Sequence, residues 1–135
     1  MKSLLPFQFF AIVIVVSSCV TLTQAQMPSV QVTKVNTDRV KTYEKFEIHL
    51  ELSGVEIENP YDPEDIDLYA QFKSPAGKTV RINGFYDNYQ NADQWTLRFS
   101  PDVVGDWAYQ IYVKNKGRTG KSSIGHFVVV ASPHH

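Results

Sequence analysis

One stretch pairs aromatic rings with amide and carboxyl groups at close spacing: Phe85-Tyr86-Asp87-Asn88-Tyr89-Gln90-Asn91-Ala92-Asp93-Gln94-Trp95. Sugars present apolar C–H faces and equatorial hydroxyls. Rings supply a stacking platform for the former, and Asn, Asp and Gln supply hydrogen bonds for the latter. Tyr86 and Tyr89 are the expected stacking residues, with Asn88, Asn91 and Asp93 as polar partners. The same residues suit an interdomain contact, because exposed aromatics also mark interfaces. The competing structural reading takes Trp95 as core, Tyr86 as a packed strand end and the Asn and Asp residues as turn formers.

A second stretch is acidic: Glu56, Glu58, Asp62, Glu64, Asp65 and Asp67. Calcium binds several carboxylate and carbonyl oxygens, but Pro60 and Pro63 interrupt the run and the turn glycine of an EF-hand is missing. A solvated loop guarding a sheet edge is the expected reading, with no metal. His49 and His126 fall on polar strand faces without a second His, Cys or carboxylate at ligand spacing, and are expected to be ordinary surface or edge residues. Carboxylates for a glycosidase pair are present, yet nothing in the pattern selects two of them. There is no phosphate-cradling glycine loop and no serine nucleophile motif, so the chain is expected not to be an enzyme and to carry no cofactor.

These residues are positioned by strands. Phe46, Ile48, Leu50 and Leu52 alternate with Lys45, Glu47, His49 and Glu51, the period of a strand with one wet face. Similar runs are expected over 30–35, 66–72, 78–86 and 125–131. The stretch 95–113 reads as a hairpin of two strands: Trp95, Leu97 and Phe99 face inward in the first, and Trp107, Tyr109, Ile111 and Val113 in the second. Pro101 and Gly105 provide its turn chemistry. Seven antiparallel strands in about a hundred residues predict an all-β, immunoglobulin-like β-sandwich.

The chain has 135 residues, 43% hydrophobic and 20% charged, which suits one globular domain. A net charge of −1 supplies no basic field for nucleic acid. Lys2 followed by the apolar run 7–16 reads as an export signal, so residues 1–25 are expected to be cleaved and the product exported. Two cut sites compete: one after Ala25, and a lipoprotein-type cut before Cys19. Cys19 is the only cysteine, so the mature domain 26–131 is expected to lack disulfides. Residues 132–135 read as the start of a linker or the remnant of a tag.

Six motifs occur in order: Asn59-Pro60-Tyr61-Asp62-Pro63, Phe72-Lys73-Ser74-Pro75-Ala76-Gly77-Lys78, Gly84-Phe85-Tyr86, Trp95-Thr96-Leu97-Arg98-Phe99-Ser100-Pro101, Gly105-Asp106-Trp107-Ala108-Tyr109 and Gly125-His126-Phe127-Val128-Val129. Together they resemble the immunoglobulin-like domain of unknown function at the N-terminus of secreted bacterial glycoside hydrolases, over residues 30–131. In that family a (β/α)8 catalytic domain of the apiosidase-like or a related kind follows. The resemblance implies a monomeric, non-catalytic accessory module that packs on a catalytic domain in cis and contributes to polysaccharide contact. It carries no catalytic residue onto this chain. The alternatives are a stand-alone carbohydrate-binding or surface-adhesion module, in the periplasm, in the medium or lipid-anchored, and a spacer that holds a partner away from the membrane.

Overall fold

The computed structural model describes residues 14, 26–88 and 94–133. The expected signal segment, Ile14 apart, lies outside them, and so do Cys19, Tyr89, Asn91 and Asp93.

The described residues form two sheets that face each other as an immunoglobulin-like sandwich. The first sheet has the order β1 (Ser29–Val35), β3 (Phe46–Ser53), β7 (Gln94–Phe99) and β6 (Phe85–Asp87). The second has the order β2 (Arg39–Lys41), β10 (Gly125–Val130), β8 (Gly105–Asn115), β4 (Ile66–Lys73) and β5 (Thr79–Asn83), and β9 (Arg118–Lys121) also pairs with β8. The alternation of β3 and β8 is kept. Phe46, Ile48 and Leu50 point into the core from one side and Trp107, Tyr109, Ile111 and Val113 from the other. Stacked rings join the sheets, with Phe46 over Phe127 at 4.1 Å and Phe72 over Phe99 at 4.3 Å.

Among the described residues ten strands replace the seven expected. The three additional strands are of three or four residues, too short for a periodicity to show, and each exists because a longer neighbour offers a free edge. The pairing is antiparallel except for β2, which runs parallel to β10 with Val40 opposite Val129. The 95–113 stretch is a corner and not a hairpin. β7 pairs with β3 and β6, whereas β8 pairs with β4, β10 and β9. Both strands carry a row of large apolar side chains, and these bury best face to face across the sandwich. Phe99 meets Trp107 edge-on at 5.3 Å, buried Pro101 needs no ladder partner, and the Trp107 indole N–H donates to the Val103 carbonyl at 2.8 Å.

Thr96 also departs from its expected outward position: it is buried, because β7 is an interior strand flanked by His49 on β3 and Phe85 on β6.

The expected strand 78–86 is split. At Gly84 the chain leaves the second sheet and joins the first. The crossing is tight: the Gly84 N–H donates to the Leu68 carbonyl at 2.7 Å, and a Cβ there would stand 2.7 Å from Leu68 Cδ2. A glycine is what lets the backbone pass.

Candidate functional site

The Gly84 crossing opens a groove at one end of the sandwich. Its volume is about 410 Å³, and its walls include Pro60, Tyr61, Asp67, Arg81, Tyr86 and Trp95.

Each wall has a structural cause. Tyr86 lies on β6 directly opposite Trp95 on β7, and the two rings sit 5.2 Å apart. Trp95 belongs to the core, so Tyr86 is half buried on a rigid base. Tyr61 stands edge-on to Tyr86 at 5.5 Å and is 70% exposed. The three rings step from core to solvent. On the other side, Arg81 on β5 reaches Asp67 on β4, with Nη2 at 3.2 Å from Oδ1 and 3.1 Å from Oδ2. Arg81 Nε donates to Asn83 Oδ1 at 3.3 Å, and the guanidinium lies 3.8 Å from the centre of the Tyr69 ring. Pairing with Asp67 and stacking on Tyr69 hold the planar cation in place.

Tyr61 is carried by the acidic loop, and that loop is ordered by its own polar groups. Asp65 Oδ2 accepts from the backbone N–H groups of Glu58 at 2.6 Å and Asn59 at 2.7 Å. Asp62 Oδ1 accepts from Glu64 N–H, and Asn59 Oδ1 from Tyr61 N–H. The donation from Asn59, then that from Glu58, and the nearby Lys116 ammonium hold the Asp65 carboxyl below the usual carboxylate range. Asn115, buried at the end of β8, ties the loop to the sandwich. Its amide donates to the carbonyls of Glu56 and Asp65, each at 2.9 Å, and its side-chain carbonyl accepts from Glu56 N–H at 2.8 Å. Among the described residues no three His, Cys, Asp or Glu side chains converge as a metal site.

Of the residues expected from sequence, Tyr86 lines the groove and Asn88 is exposed just past β6, while Tyr89, Asn91 and Asp93 lie outside the described residues. Tyr61 and Arg81 were not singled out as site residues by the sequence, and Asp67 was weighed only as a member of the acidic run. The available signal for Tyr61 was an aromatic between two prolines in an otherwise acidic loop. His126 is exposed. The expectation that no carboxylate stands near His49 fails: strand alternation puts Glu47, two residues before it, on the same face of β3, and His49 Nε2 lies 3.0 Å from Glu47 Oε1. Glu47 also binds Arg98 at 2.6 Å and Lys45 at 3.3 Å, and the Arg98 hydrogen bond is the main reason its carboxyl is lowered.

Chemically, the groove offers one exposed ring, one half-buried ring and a fixed, mutually neutralising charged pair. That set suits a flat, neutral, hydroxyl-bearing ligand better than an ion.

Similar sandwiches occur as small parts of larger solved proteins. A proposed glycoside hydrolase from Bacteroides vulgatus superposes with a TM-score of 0.54 at 26% identity, over 73% of this chain and 17% of that one. The cycloalternan-forming enzyme of Listeria monocytogenes, solved with a pentasaccharide substrate, gives 0.53 at 20% identity over 73% of this chain and 9% of its own. A cell-surface, multi-modular chitinase from Paenibacillus gives 0.53 at 15% identity over 76% of this chain and 8% of its own. The chain thus spans less than a fifth of each. No curated protein matches it. A family profile does match, over residues 39–114, from the first strand of the second sheet almost to the end of β8, and by that match the chain belongs to the family described as a domain of unknown function, DUF5060.

Proposed function

We propose that the chain is a non-catalytic accessory module of a secreted glycoside hydrolase, held in cis to a catalytic domain, and that its groove contributes a contact to the polysaccharide. The observation that carries this reading is the size relation: a sandwich of this fold, at 26% identity, makes up 17% of a proposed glycoside hydrolase. Export through the 1–25 signal, with secretion, periplasmic release or lipidation of Cys19 as its end points, is part of the proposal.

The groove supports the polysaccharide half. A pyranose ring stacks on Tyr61 or Tyr86, and its hydroxyls meet the outer edges of Asp67, Arg81 and Asn83. The carboxylate that lines the groove supports the non-catalytic half: Asp67 is paired with Arg81, which occupies both of its oxygens.

The test is retention of the mature domain on immobilised polysaccharides, with Tyr61→Ala and Tyr86→Ala beside the parent. Each truncation is expected to weaken retention roughly tenfold, the usual effect of losing an anchoring ring. Retention unchanged in folded variants sinks the groove assignment. The second reading, a stand-alone carbohydrate-binding or adhesion module, uses the same groove and differs in the intact mass of the native product. A mass no greater than this chain's 15.3 kDa, less any cleaved signal, selects it over the accessory module.

A further inference from the structure

The end of the sandwich opposite the groove is a second, differently built surface. Three backbone contacts gather it. Thr42 N–H donates to the Val130 carbonyl at 2.9 Å, Ser132 N–H donates to Thr42 Oγ1 at 3.1 Å, and Tyr43 N–H donates to the Pro101 carbonyl at 2.8 Å. The end of β10, the 42–45 turn and the 100–104 corner therefore share one pole.

That pole displays apolar side chains. Tyr43 is 74% exposed, Val104 53% and Val103 42%. Exposed charged residues surround them, among them Lys41, Glu44, Asp102 and Asp106. An apolar centre with a charged rim is the anatomy of a protein interface. Tyr43 adds a second observation. Its φ is +66°, in the left-handed region that aromatic residues rarely occupy. The fold holds a large ring in a costly backbone conformation and gives it no burial in return, a pattern found where strain serves contact with something else.

We propose that this pole is the docking surface for the domain that follows in cis, with Tyr43 as its anchoring ring and Val103 and Val104 as the apolar area around it. The occupant is argued from the path of the chain. β10 ends at Val130, and Ser132 is pinned beside the Tyr43 turn, so a domain continuing past Pro133 starts within a few residues of these side chains. A short tether gives a high effective concentration, which makes a modest apolar patch sufficient. The proposal rests on the accessory-module reading.

The experiment uses the native full-length gene product. Its intact mass comes first. A product ending near His135 removes both the module reading and this surface assignment. For a longer product, limited proteolysis of the segment after Pro133 is followed in the parent and in the Tyr43→Asn, Val104→Ser variant. Asn tolerates the left-handed backbone, so the turn is retained. The expected result is cleavage accelerated roughly tenfold with the sandwich's own melting temperature unchanged, since losing an interface anchor opens the docked state by about that factor. Tyr61→Ala, at the other pole, is expected to leave cleavage unaltered. Parental cleavage rates in the double variant overturn the docking surface while leaving the module reading intact. Sedimentation of the mature domain 26–135 as a dimer that Tyr43→Asn dissolves also overturns it, in favour of a second copy as occupant.

Discussion

Asn115 is the residue through which stability and the groove are coupled. Its side chain makes three hydrogen bonds, all to backbone groups of the acidic loop, and it is only 4% exposed. Truncation to Ala strands Glu56 N–H and the carbonyls of Glu56 and Asp65. A net contribution near 1 kcal/mol per bond, with partial rescue by water at the exposed Glu56, gives an expected loss of about 2–3 kcal/mol. In a domain of this size that corresponds to a fall in Tm of roughly 10–20 °C. Asn115→Asp keeps the acceptor for Glu56 N–H but turns a carboxylate toward two carbonyls, so it is expected to be at least as damaging. Urea unfolding of the mature domain measures the loss, and amide exchange at Glu56 locates it. Polysaccharide retention, measured well below the variant's Tm, should fall with it, because the released loop carries Tyr61 away from Tyr86. A loss below about 1 kcal/mol in Asn115→Ala would refute the reasoning, since it would mean that the loop is held by its own internal bonds.

The remaining expectations concern pH and packing. Asp65 and Glu47 both have carboxyl pKa values lowered in the folded state, Asp65 chiefly by Asn59 N–H and Glu47 chiefly by Arg98. A lowered folded pKa contributes stability above the unfolded carboxylate range near pH 4, and that stability is lost as pH falls through the folded value. The urea midpoint should therefore hold at neutral pH and drop below about pH 4, with a shallower drop in Asp65→Asn. Lys116 is shifted upward by Glu58 and then Asp65, so its contribution is present below the ordinary lysine range and is lost as pH rises through the raised value; Lys116→Met should remove that alkaline limb. Gly84→Ala places a methyl group against Leu68 Cδ2 at 2.7 Å and Leu97 Cδ2 at 3.3 Å, and should cost about 1–3 kcal/mol by overpacking. Trp95 fluorescence should change as β6 moves, and parental stability with an unchanged spectrum would count against the tight crossing.

The sequence was informative where burial is one-sided and sustained. Eight residues in β3 and eleven in β8 alternate without interruption, and their facing rows specify a sandwich before any contact is known. It was silent where an element exists only through its neighbour. β2 pairs with β10, β6 with β7 and β9 with β8, each over three or four residues. The corner at 100–104 read as a hairpin because turn residues look alike whether the chain returns beside itself or crosses to the facing sheet. Tyr86 was legible as an aromatic in a polar loop. Its partner Tyr61 was hidden 25 positions upstream in an acidic context, and no motif or periodicity marked Asn115. Only the tertiary fold reveals that β8 ends beneath that loop.

The two poles also bear on what Tyr86 contacts, which composition left open between a glycan and a neighbouring domain. β8 runs from Gly105, at the pole where the chain leaves, to Asn115, beneath the loop of Tyr61. Eleven residues at a strand's rise cover about 35 Å. A following domain that touched Tyr86 would need a linker of about ten extended residues doubling back along the sandwich, or a body that wraps its whole length. A domain resting on Tyr43 needs neither. On the proposed module reading, with the apolar exit pole assigned to the neighbour, the groove would face away from it, where a polymer passing a catalytic domain could be reached without competing for the same surface. A linker of more than ten residues after Pro133, together with cross-links from the loop of Tyr61 to the following domain, would remove this division of labour.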